Sequence, residues 1–172
     1  MSFTTTSTTC ADRVGKACAE RMRDLRCMLR SNEVDNATLA DFLDGQGIDV
    51  PELVNDGRGL MERDTWDTHV ETLEQSATEE FYNYGLSFDF VPLDTFSDQD
   101  AEYWRYQMSY GGPSEEIRIY HRGCMEFWLL DWNDGARRRL SGDDLTTGQR
   151  LYDWFDEVGS VESERIKATT TE

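Results

Sequence analysis

The sequence predicts an α+β fold: N-terminal helices, an antiparallel β-meander of about four strands, and a C-terminal helix packed on the sheet. Three observations carry that expectation. Apolar residues recur at three- and four-residue steps up to about residue 85 and at two-residue steps after it. Turn signals rich in Gly and Asn separate the period-two runs. Aromatic residues make up 12% of the chain and come in clusters, which a disordered acidic segment would lack.

A chain of 172 residues has the size of one domain. We read it as residues 10–159, with a helical half over 10–85 and a sheet half over 86–159, between a disordered Thr/Ser leader (1–9) and a disordered polar tail (160–172).

The first helix is expected from about Ala11 to Arg30. Val14, Ala17, Cys18, Met22, Leu25, Met28 and Leu29 form its apolar stripe, and Lys16, Arg23, Arg26 and Arg30 lie on its far side. A short second helix is expected over Ala37–Leu43, capped by Asn36. The third runs from about Thr65 to Tyr84, with Asp64 to cap it, Gly85 to stop it, and Trp66, Val70, Leu73, Ala77, Phe81 and Tyr84 as its stripe.

Strand signals follow at Leu86–Phe90, Trp104–Met108, Ile117–Ile119 and Phe127–Asp131. Their turns are expected at Gly111-Gly112-Pro113-Ser114, Arg122-Gly123 and Asn133-Asp134-Gly135. Arg137-Arg138-Arg139 reads as a strand that pairs with acidic surface, and a helix over about Asp144–Val158 turns Leu151, Trp154, Phe155 and Val158 inward.

Charge is the most uneven property of the chain. The net value is −18, yet residues 1–30 carry six basic and three acidic side chains, whereas residues 31–100 carry two basic and eighteen acidic ones. Candidate partner-binding acids in the excess are Asp41, Asp44, Asp49, Asp64, Asp67, Glu71, Glu74, Asp94, Asp98 and Asp100, with Asp56, Glu79 and Glu80 beside them.

Three readings fit this segment. It can imitate the phosphates of a nucleic acid, serve adaptation to high internal salt, or supply ordinary caps and turns, as Asp64 and Asp67 would at a helix start. On the third expected helix the four acids from Asp64 to Glu74 span about 15 Å, or about one charge per 5 Å, against about 3.4 Å for a single DNA strand. Neighbouring acids would have to fill that array. The net-positive N-terminal segment disfavours uniform salt adaptation, which would spread acid over every exposed face.

Catalytic and metal chemistry find little support. Cys10, Cys18, Cys27 and Cys124 lack the paired spacing of a zinc site, so no metal or other cofactor is expected. Asp98, Asp100 and Glu102 alternate like calcium ligands, but the EF-hand pattern is missing. His121 lies three residues from Cys124 without an orienting third group, His69 stands alone on the third helix, and Gly111-Gly112 makes no phosphate loop. A non-enzymatic protein is the expectation. No apolar run approaches the roughly 18 residues of a membrane helix, and the leader has neither the basic start nor the apolar centre of a signal peptide. A cytoplasmic protein with reduced thiols is therefore expected, with no membrane partner and a homodimer left open.

The YGGPS of Tyr110–Ser114, the EEIRIY that follows it, and the EFWLLDWNDG of Glu126–Gly135 resemble a pattern of small phage and plasmid proteins. In size and charge the chain is similar to the DNA-mimic antirestriction and anti-CRISPR proteins of those elements. That resemblance implies an inhibitor acting in the host cytoplasm on a basic nucleic-acid-binding protein or complex, with no direct contact to nucleic acid. It assigns no residue a role. The alternatives are a non-inhibitory acidic interaction or regulatory protein, or a halophile-adapted domain.

Overall fold

The computed structural model describes residues 9–29, 81, 83–97 and 99–170. The chain forms two compact units, one made of Met1–Arg21 with Gly85–Glu172 and the other of Met22–Tyr84. The first holds a five-stranded antiparallel sheet: β1 (Ser87–Val91), β2 (Tyr103–Ser109), β3 (Ser114–Tyr120), β4 (Met125–Asp131) and β5 (Asp134–Arg139), in sequential order. With α1 (Cys10–Met28), α2 (Asp143–Glu157) and α3 (Ser160–Thr170), the architecture is the expected α+β meander.

The strand register sorts side chains onto two faces, because directly opposed residues share a face. Phe88 opposes Tyr106, Tyr106 opposes Ile117, and Ile117 opposes Phe127. That face is apolar and holds the core: Ile117 and Phe127 are fully enclosed, and Tyr106, Ile119, Met125 and Leu129 are buried. Helix α2 covers it. Phe155 stacks on Phe88 at 3.9 Å between ring centroids and meets Tyr106 at 5.4 Å. Gly148 makes the approach possible, since a Cβ there would lie 2.7 Å from Met125 Sδ.

The first turns of α1 are tied to the same face. Arg13 pairs with Asp131 at 2.5 Å, Arg21 pairs with Glu115 at 2.6 Å, and the Cys10 amide donates to Asp134 Oδ2 at 2.6 Å. Thr9 caps the helix in a reciprocal box. The Asp12 amide donates to Thr9 Oγ1, and the Thr9 amide and hydroxyl donate to Asp12 Oδ2.

These hydrogen bonds hold two carboxyl groups below the usual carboxylate range, Asp12 through the Thr9 hydroxyl first and Asp134 through the Cys10 amide first. A depressed folded pKa gives stability that is present above the unfolded value, about 3.9, and is lost as pH falls through the folded one. The Cys10 and Thr9 amides should therefore lose their protection from hydrogen exchange below about pH 4, before the core amides of β3 and β4 respond. Asp134→Ala should bring fast Cys10 exchange to neutral pH.

Within the second unit, Met22, Leu25, Cys27 and Met28 of α1 are buried, and the Tyr84 hydroxyl donates to Asp24 at 2.9 Å. Phe81, Asn83 and Tyr84 are helical, matching the end of the third expected helix. The rest of that helix and the one expected over Ala37–Leu43 lie outside the described residues.

Several expectations are corrected. The sheet has five strands against the expected four or so: the strand read at Arg137–Arg139 starts at Asp134 and joins the sheet beside β4, although Asp-Gly-Ala-Arg-Arg-Arg has no apolar alternation. The β4–β5 turn is Trp132-Asn133, not Asn133-Asp134-Gly135; Asp134 and Gly135 are already paired with Asp131 and Leu130. The residues from 160 onward, read as a disordered tail, are helical to Thr170, with Val161 buried.

Candidate interaction surface

Of the candidate acids, Asp94 and Asp100 fall among the described residues; Asp41, Asp44, Asp49, Asp64, Asp67, Glu71, Glu74 and Asp98 lie outside them. Both described acids are exposed on the β1–β2 connection. That connection is held together by one side chain. Gln99 Nε2 donates to the carbonyls of Pro92 and Ala101 at 2.8 and 2.9 Å, and its Oε1 accepts from the Phe96 amide. Asp94 sits at φ 65°, a left-handed conformation that Asp tolerates better than most residues.

Glu102, at the end of the same connection, is exposed too, as are Asp143, Asp153, Asp156 and Glu157 on α2. Among the described residues none of these carboxylates has an ion pair. The arginines behave oppositely. Besides Arg13 and Arg21, Arg105 pairs with Asp89 at 2.7 Å, Arg118 with Glu116 at 2.6 Å, Arg137 with Glu126 at 3.4 Å, and Arg138 approaches Asp144 at 3.9 Å. Arg122 and Arg139 stay outside these pairs.

Much of this pairing occurs on the second face of the sheet, which no described helix covers. There the Arg118 guanidinium lies 3.9 Å from the Trp128 ring centroid and 4.7 Å from that of Tyr103, while Arg137 approaches Trp128 from the other side at 5.4 Å. Trp128 Nε1 donates to Glu126 at 3.1 Å. The result is a cross-strand ladder of Arg, carboxylate and aromatic groups whose charges cancel within the face. Two residues of the basic run Arg137-Arg138-Arg139 are absorbed in the same way: Arg137 joins the ladder, and Arg138 reaches Asp144 and the Gly15 carbonyl.

Of the calcium candidates, Asp98 lies outside the described residues, while Asp100 and Glu102 are exposed. His121 and Cys124 both lie at the β3–β4 turn but line different cavities, and Cys10, Cys18, Cys27 and Cys124 are free thiols. No group of three metal-ligating side chains occurs among the described residues. Nor is any described helix long and apolar enough to cross a membrane.

The β2–β3 and β4–β5 turns lie at one end of the sheet, where a Cβ on Gly112 would stand 2.9 Å from Trp132 Nε1. Tyr110 and Trp132 are 82% and 93% exposed there, and Trp132 holds φ 53°. Strand alternation signalled which residues face the core, but the Arg–aromatic ladder depends on register, which no local pattern states. The chain matches no family model, no curated protein and no solved structure.

Proposed function

We propose that this protein is a non-enzymatic acidic inhibitor that imitates the phosphate array of a nucleic acid and occupies the site of a basic nucleic-acid-binding protein or complex of a host cell. This is the role of the antirestriction and anti-CRISPR proteins it is similar to in size and charge. The opposite treatment of the two charge types carries the reading. Arg13, Arg21, Arg105, Arg118, Arg137 and Arg138 pair with carboxylates of the chain itself, which lowers the positive charge they offer to polyanions, while exposed carboxylates on the β1–β2 connection and α2 have no ion pair among the described residues. The excess over residues 31–100 adds to that field. A surface of one sign steers encounter with the opposite sign and repels nucleic acid itself.

Competition with DNA tests the proposal. Proteins captured from a cell lysate by the immobilised chain at low ionic strength should be released by saturating duplex DNA, and their binding constant should fall steeply with salt. A captured partner that stays bound in saturating DNA, or whose affinity is flat between about 50 and 200 mM salt, would overturn it.

A further inference from the structure

A cleft of about 320 Å³ opens between α2, the start of β2 and the β3–β4 turn. Its walls are aromatic. Phe90 and Trp104 lie 4.8 Å apart between ring centroids and are tilted by 52°, and Tyr152 meets Trp104 edge-on at 6.4 Å. Two lining carboxylates come from separate elements, Glu102 two residues before Trp104 and Asp153 next to Tyr152, and neither has an ion pair among the described residues.

Arg122 also lines the cleft, from the 3-10 turn His121–Gly123, where its φ is 70°. Two carboxylates against one guanidinium leave the lining net negative with His121 neutral. Burial first, and then Asp156 and Asp153, push the Tyr152 hydroxyl above its ordinary pKa, so it stays protonated beside that negative charge.

Flat aromatic walls and an excess of carboxylate over guanidinium in the lining describe a receptor for a planar cation. A guanidinium stacks on rings through its face and donates from its edge, whereas an ammonium offers a compact, strongly hydrated charge. We infer that this cleft binds an arginine side chain projected by the basic partner. Only the identity of the partner rests on the mimicry reading; the preference of the cleft for guanidinium does not.

The experiment uses the full chain and small probes: N-acetyl-arginine amide, its neutral isostere N-acetyl-citrulline amide, and N-acetyl-lysine amide. The Trp104 Nε1–H resonance, assigned by its disappearance in Trp104→Phe, should shift saturably with the arginine probe. Lysine should bind more weakly, and citrulline should leave the resonance in place. The double substitution Glu102→Gln with Asp153→Asn, both on exposed side chains, should weaken arginine binding at least tenfold, and Asp143→Asn should not. Equal shifts from arginine and citrulline, full affinity in the double variant, or a response confined to Trp128 would each overturn the inference. Because no macromolecular partner is present, failure here leaves the DNA-competition result standing, and the converse also holds.

Discussion

Changing Asp67, Glu71 and Glu74 together to Asn, Gln and Gln is expected to weaken binding to the DNA-displaceable partner by at least about 100-fold, while moving folding stability by no more than roughly 1 kcal/mol. Helical spacing puts these three carboxylates within one arc of the third expected helix, and each substitution keeps shape and removes charge. Exposed charges contribute little to stability. At an interface, each removed carboxylate leaves a partner cation desolvated and unpaired, which costs far more. Asp64 is kept intact because a capping role would confound the comparison. The control is Arg23, Arg26 and Arg30 to Gln, which should disturb binding much less. Isothermal titration of both variants decides: tight binding by the acid variant with loss in the arginine variant moves the interface to α1, and full binding by both makes the acidity a matter of solvation.

The second large effect is expected at Glu116. This carboxylate is 3% exposed at the centre of the sheet face opposite α2, and Arg118, its partner at 2.6 Å, is pinned over Trp128 and Tyr103. Glu116→Leu leaves a partly buried guanidinium with no anion, a loss of about 3 kcal/mol, or roughly 6–12 °C in Tm for a chain of this size. Replacing both partners, Glu116→Leu with Arg118→Met, should recover most of that loss, since apolar packing substitutes well for a buried pair. Thermal denaturation of the two variants gives the comparison. If Glu116→Leu alone is neutral, the ladder contributes nothing to stability and Arg118 is free to serve another role.

What the sequence revealed and what it concealed follow from the range of the interactions involved. The stripe Val14, Cys18, Met22, Leu25 and Met28 was legible because helical periodicity is local, and all five are buried. Phe88, Tyr106, Ile117 and Phe127 were legible for the same reason at period two. The arginine run of β5 was legible as a strand, but its start at Asp134 and its particular partners were not, since they are set by pairing with β4 and by charges elsewhere in the fold. α3 was missed because Val161 and Ile166 make too thin a stripe to register. At the surface, Asp94 and Asp100 were singled out as acids, but Glu102 and Asp153 meet in one cleft only because α2 folds back over the start of β2. The internal consumption of arginine was equally hidden, for it is decided one ion pair at a time across strands.

The division of the chain has an evolutionary consequence. The unit that holds the sheet leaves at Arg21 and resumes at Gly85, so Met22–Tyr84 is topologically an insert. Both of its attachment points are fastened within the sheet unit: Arg21 is clamped to Glu115, and the Leu86 amide donates to the Gln107 carbonyl at 2.8 Å. The exposed acids of such an insert can change with little effect on the stability of the carrier, because exposed charges contribute little to folding. Most of the charge excess lies in that unit, so if the mimicry proposal holds, a lineage following a changing target could redesign its contact surface without having to rediscover a fold.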